Sequence, residues 1–154
     1  TPTEKKVDYH RGINKPIHYN SKLYKGYMAG GMNALLDGYR GGLTYLDGRW
    51  QGYLNDLDCV IDMEKVTDIH KVSTRFMQLT GPGVFQPGQV ELLTSEDGEN
   101  FTSQGIVPTT IPADDPNLLF QEYTFNGNWK ARYIRLKATE VNKGFIFTDE
   151  IVVW

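Results

Sequence analysis

Leu57–Gln78 reads LDCVIDMEKVTDIHKVSTRFMQ, and its periodicity decides the fold class. Leu57, Cys59, Ile61 and Met63 alternate with Asp58, Val60 and Asp62, which places one apolar row on one side of an extended chain. Val66–Gln78 reads as a second extended segment, with Val72, Thr74 and Phe76 on a common face. A period of two rich in β-branched residues is a strand signal. Cys59 is the only cysteine, so an internal disulfide and a cysteine cluster for zinc are both excluded. Its place in the apolar row makes it a packing residue rather than a nucleophile.

The same pattern spreads outward in both directions. Lys15–Tyr19, Val90–Thr94, Asn100–Val107, Leu118–Phe125 and Phe145–Trp154 are extended candidates, and ARYIRLKAT points Ile134, Leu136 and Ala138 one way. Asp97-Gly98 between two of them is a hairpin turn signal. Together these segments predict about eight strands, the count of an antiparallel β-sandwich or barrel. Only Asn33–Asp37, stopped by Gly38, and Asp114–Leu119 have room for a helical turn. With 154 residues and no interior linker, the chain reads as a single domain over 15–154, and the polar residues 1–14 as a flexible lead-in from a preceding domain.

The net charge of −3 comes without a basic stripe, which argues against nucleic acid as a partner. Apolar runs of a few residues argue against membrane insertion.

Gly30–Tyr53, GGMNALLDGYRGGLTYLDGRWQGY, departs from the strand pattern, with seven glycines, three tyrosines and two Asp-Gly pairs. So much glycine opposes a helix or flat strand, while the aromatics oppose a disordered linker, leaving an ordered, tightly turned loop. Within it, Asp37 either makes an Asx-type turn with Gly38 or offers a carboxylate to a hard cation such as calcium. Trp50 reads as an anchor that packs the loop down.

No catalytic residues are assigned. His10, His18 and His70 lack metal-ligand spacing, and no nucleophile elbow, P-loop or GxGxxG opens a helix. The acids Asp37, Asp47, Asp56, Asp58, Asp62, Asp149 and Glu150 sit at turns and strand ends, where structural roles prevail over a catalytic pair.

Aromatics are 12% of the chain, and Tyr39, Tyr45, Phe85, Trp129 and Phe145 read as loop residues. A sugar ring has an apolar C–H face and a polar rim, so aromatic plates beside Arg, Asn or Gln are what would bind one. Arg40, Arg49, Gln51, Gln78 and Asn142 are candidates for the polar part.

At these residues the chain resembles a family. NALLDGYRGG, LDGRWQGY, LDCVIDM, SEDGENF, ARYIRLKAT and FIFTDEIVVW are similar, in order and spacing, to the discoidin-like or F5/8 type C domains, also called carbohydrate-binding module family 32. The version most similar is the one appended to bacterial β-hexosaminidases and chitobiases. The resemblance runs from about Ile17 to Trp154. It implies an eight-stranded antiparallel jelly-roll β-sandwich of the galactose-binding-like kind. It implies a structural calcium held by Asp37, the carbonyls of Ala34 and Gly42, and Glu150. It also implies a sugar site on the loops Tyr39–Tyr45, Gln78–Pro87 and Asn142–Phe145, with Tyr39, Arg40, Tyr45, Gln78, Phe85 and Phe145 as ligand-binding residues. Where such relatives carry tryptophans, Gly83 and Phe145 stand here. The expected function is non-catalytic: a module that targets the glycoside hydrolase of the same polypeptide to terminal galactose- or N-acetylhexosamine-type sugars, in a secreted, periplasmic or cell-surface setting. The competing expectation is a sandwich that steadies the catalytic domain and binds no sugar.

Overall fold

The computed structural model describes residues 9–154. Among these residues seven strands form: β1 (Ile17–Tyr19), β2 (Gln51–Tyr53), β3 (Leu57–Gln78), β4 (Gln89–Ser95), β5 (Thr102–Pro108), β6 (Leu119–Ala138) and β7 (Ile146–Val153). All pairings between them are antiparallel. Two pairs of expected strands fuse into β3 and β6, and β2, hidden in the glycine-rich stretch, is added.

The fusion has a mechanical reason. β3 and β6 pair along almost their whole length, but the register slips between Asp62/Thr67 and Ile69/Lys71. Such bulges bend a paired ribbon sharply. At the bend Glu64 takes φ 73°, and its N–H donates to Asp62 Oδ1 at 2.7 Å. The first half of β3 and the last part of β6 therefore lie in one layer, in the order β1-β3-β6-β4-β5. Their other halves lie in a second layer, in the order β2-β7-β3-β6.

The core fills the space between the layers. Leu57, Cys59, Ile61, Leu92, Ile134 and Leu136 face Val72, Phe76, Tyr123, Ile146, Ile151 and Val153, and the 3-10 turn Ala34–Leu36 closes one side with Leu35 and Leu36. Cys59 is fully buried, and burial pushes its thiol up to about 12, which leaves it unreactive at neutral pH. Gly98 sits at φ 80° in the β4–β5 hairpin, which the Asp97-Gly98 pair supplies at no steric cost.

One feature departs from simple alternation. Every residue of β7 is buried, so this strand is covered on both faces. The second cover is a satellite core of Trp50, Met77, Val84 and Phe147, with Phe120 and Tyr45 packed against it. Trp50 stacks on Phe120 with centroids 5.8 Å apart, and its Nε1 donates to Gly42 O at 3.2 Å. The glycine-rich segment 38–50 is thus a roof over the outer face of the second layer. A Cβ at Gly41 would come within 2.2 Å of the Trp50 ring, so only glycine lets the chain cross the indole this closely.

Part of the lead-in expected over 1–14 packs on the sandwich. Residues 1–8 lie outside the described residues, but His10 and Gly12 are buried and Arg11 N donates to Val153 O at 2.9 Å. From His10 onward the chain is docked to the end of β7.

Candidate functional site

The loops that follow β2, β3, β5 and β6 meet at one end of the sandwich, where the starts of β4 and β7 also lie. There the loop after β3 and the loop before β7 are zipped together: Phe85 N donates to Phe145 O and Phe145 N to Gly83 O, each at 2.8 Å. Gly144 makes this possible, because a Cβ there would meet the Phe85 ring at 2.8 Å. The glycine-rich turn beneath is held from inside. Gln78 Nε2 donates to Pro112 O at 2.8 Å, Gln86 Nε2 to Phe76 O at 2.8 Å, and Tyr123 OH to Gln86 Oε1 at 2.9 Å.

On this platform stands an aromatic rim. Tyr27 is its hub, with ring centroids 5.6 Å from Tyr24, 5.1 Å from Phe145, 6.0 Å from Tyr45 and 5.0 Å from Phe147. Tyr24 also meets Phe145 edge-on at 5.1 Å. Phe147 is the buried floor, whereas Tyr24 is 38% exposed. The rings therefore run from the satellite core out to solvent, with Phe145 and Tyr45 half-buried between. A flat apolar face with an exposed phenol edge suits the C–H face of a pyranose.

The structure sorts the expected sugar contacts. Tyr45 and Phe145 belong to the rim, and Phe85 is half-buried beside it against Gly144. Three others are used elsewhere. Gln78 is 1% exposed and holds the turn just described, so it has no face to offer a ligand. Arg40 Nε donates to Asp149 Oδ2 at 2.9 Å, alongside Arg75 Nη2 at 2.7 Å and Gly41 N at 2.9 Å, so its cation neutralises a buried carboxylate. Tyr39 lies under the Arg49 guanidinium, 4.4 Å from the ring centroid, and donates its N–H to Asp37 Oδ1. Tyr24 and Tyr27 went unrecognised in the sequence. Their signal is two aromatics three apart in KLYKGYM, a spacing that one 3-10 turn, Lys25–Tyr27, brings to the same side. Gln51, whose chemistry suits a sugar, instead stitches the glycine loop, donating to Met28 O and Gly31 O at 3.1 Å each and accepting from Tyr53 OH.

A second arrangement lies beside the roof. Asp37 and Glu150 face each other, and Glu150 is fully buried. Its Oε2 accepts from Gly38 N at 2.8 Å and from His10 Nε2 at 2.7 Å. His10 Nδ1 accepts from Gly12 N at 3.1 Å and Val153 N at 3.4 Å, so the ring proton sits on Nε2 and the imidazole is neutral. It brings no charge to Glu150, whose Oε1 has no hydrogen-bond partner. Burial, reinforced by the Asp37 and Asp149 charges, pushes the Glu150 carboxyl up to about 10. Burial also raises Asp37. Gly30 lies against Asp37 Oδ2, where a Cβ would come within 3.2 Å. A half-buried Asp37 facing a buried Glu150 with an orphaned oxygen fits a hard cation, or else one shared proton. Among the described residues no three His, Cys, Asp or Glu side chains converge to hold a metal ion, so backbone carbonyls would have to complete a set. Ala34 is buried in the 3-10 turn that precedes Asp37. The Gly42 carbonyl accepts from Trp50 Nε1 at 3.2 Å, and its N–H donates to Asp47 Oδ2 at 2.7 Å.

The sequence model of the F5/8 type C domain matches residues 18–151, nearly the whole described chain. The chain belongs to the F5/8 type C family. No curated protein matches it. Solved structures similar to this F5/8 type C domain include a chitosan-binding module from a Paenibacillus sp. IK-5 chitosanase/glucanase, at TM-score 0.65 and 14% identity over 96% of this chain and 99% of that one. A Streptococcus pneumoniae fucose-binding module matches at TM-score 0.64 and 15% identity, over 94% of each chain. A Clostridium perfringens CBM32 module, in complex with GalNAc-β-1,3-galactose, matches at TM-score 0.60 and 19% identity over 98% of this chain and 99% of that one. At these identities the likeness carries the fold, and the F5/8 type C sandwich is the architecture described above.

Proposed function

We propose that this domain is a non-catalytic carbohydrate-binding module that targets an attached glycoside hydrolase, of the β-hexosaminidase type, to terminal galactose- or N-acetylhexosamine-type sugars. The observation that carries the reading is the aromatic rim: Tyr24 offers an exposed ring, braced by Tyr27 and Phe145, at the end where the loops converge. Similar modules named for chitosan, fucose and GalNAc-β-1,3-galactose support it. Weak binding suffices, since tethering multiplies the local concentration of substrate around the enzyme. Such a module works where polysaccharide is, in a secreted, periplasmic or cell-surface protein. No helix of the described residues is long and apolar enough to cross a membrane.

The test is an NMR titration with galactose and N-acetylglucosamine. Amides of residues 24–27 and 142–145 should shift, and Tyr24→Ala should weaken binding about tenfold, equivalent to about 1.4 kcal/mol. Silence at the rim with every sugar would refute the reading. A second reading, a sandwich that steadies the catalytic domain, is favoured by Leu43 and Leu46, 75% and 67% exposed on the loop that carries Tyr45. It predicts instead that the full-length enzyme melts lower without this domain.

The same proposal includes a structural calcium held by Asp37, Glu150 and the carbonyls of Ala34 and Gly42. It would supply the positive charge that the neutral His10 does not. A chelator should then lower the melting temperature, and an unchanged value would argue against it.

A further inference from the structure

The rim is electrostatically unlike the rest of the molecule. The whole chain carries −3, yet between Asn20 and Leu36 it has Lys22 and Lys25 and no acidic residue. The loop Leu79–Gln89 carries no charge at all, and the loop before β7 brings Lys143 two positions from Phe145. The Tyr24–Phe145 ring contact at 5.1 Å sets the Lys25 and Lys143 segments side by side. Both lysines are exposed, and among the described residues neither forms an ion pair. Two acids lie farther along the same loops, Asp47 and Glu140. Asp47 accepts from Gly42 N at 2.7 Å and from Arg49 N at 2.9 Å. Glu140 keeps Oε1 enclosed, without a partner, and its N–H donates to Asp56 Oδ1 at 2.8 Å. The two segments that carry Tyr24 and Phe145 thus bring Lys22, Lys25 and Lys143 and no acid within two positions of either ring, and such a local surplus of positive charge draws negative ligands.

We propose that the rim's preferred ligand is an acidic glycan, one whose ring stacks on Tyr24 and Phe145 while a carboxylate or sulfate group is held by Lys25 and Lys143. This deepens the reading of the rim as a sugar platform and rests on it. A point charge on a flexible stem suits either anion, since it does not need the planar geometry that a guanidinium requires. The chemistry also sets this rim apart from one built for chitosan, whose free amino groups are cationic.

The experiment is a calorimetric or NMR titration of the chain with galactose, galacturonic acid, galactose 6-sulfate and a chitosan oligosaccharide, at about 50 mM and about 0.5 M sodium chloride. At low salt the two anionic sugars should bind about fivefold tighter than galactose, the scale of two exposed charge contacts. The advantage should vanish at high salt, and in the K25Q/K143Q variant the ratio of acidic to neutral affinity should fall to about one. A preference for only one anion, lost in the variant, identifies the group. Equal affinities for galactose and both acids, tighter binding of chitosan, or a preference that persists in the variant would each overturn the proposal while leaving sugar binding itself intact. Absence of any shift at the rim with all four probes would overturn the platform reading together with it.

Discussion

Replacing Glu150 by glutamine tests the Asp37–Glu150 arrangement directly. Glu150 is 0% exposed at its side chain and its only ring partner is a neutral imidazole, so the metal-free folded protein holds a proton there up to about pH 10. The unfolded chain releases that proton near 4.5. Between those values the folded state binds more protons than the unfolded one, so stability falls as pH rises. By pH 7 the loss is on the order of 3 kcal/mol, at about 1.4 kcal/mol for each pH unit above 4.5. Glutamine keeps an acceptor for Gly38 N and His10 Nε2, turns a donor toward Asp37, and has no proton to hold. In EDTA at pH 7, Glu150→Gln should therefore be more stable than the wild type by up to about 3 kcal/mol, or about 9 °C in Tm at about 3 °C per kcal/mol. The advantage should shrink toward pH 5. Calcium should reverse the order, because the wild type gains about 2.7 kcal/mol at a hundredfold excess over Kd while the variant loses a ligand. Differential scanning calorimetry at pH 5, 7 and 9, in EDTA and in calcium, reads all of this. A variant less stable than the wild type in EDTA at pH 7, with neither protein responding to calcium, would refute it: Glu150 would then already be compensated as an anion inside the protein.

Two further outcomes follow from the same geometry. Calcium must displace the Glu150 proton, so its affinity should rise with pH, approaching tenfold per pH unit between about 6 and 8, and binding should release about one proton; calorimetry in buffers of different ionisation enthalpy measures this, and a pH-independent affinity would contradict it. Trp50→Ala removes the 1% exposed indole that pins the glycine-rich roof to Phe120 and Phe147, and should cost about 4 kcal/mol in urea unfolding. A loss under about 1 kcal/mol would mean that the roof does not depend on its anchor.

Much of the sandwich was legible because strand alternation is a local property. The rows Leu57, Cys59, Ile61 and Ile134, Leu136, Ala138 go to the core as written. The strand boundaries differ for two reasons: a bulge that bends β3 between Asp62 and Thr67 leaves no mark in polarity, and β2 hides among glycines chosen for the loop around it. The binding residues were harder. Gln78 and Arg40 have the chemistry of sugar contacts, but a polar side chain next to buried carbonyls or a buried carboxylate is claimed by them first, and only the fold shows which it faces.

By itself, then, the sequence determined the all-β class, the inert buried Cys59, the Asp97-Gly98 hairpin and the anchoring role of Trp50, because each depends on residues close along the chain. The tertiary structure alone decided that β7 is roofed on its outer face. It also decided that His10 meets Glu150 across 140 residues, and that Tyr24 and Tyr27 join Phe145 in one rim. Those juxtapositions join segments far apart in the chain, and no local spacing encodes them.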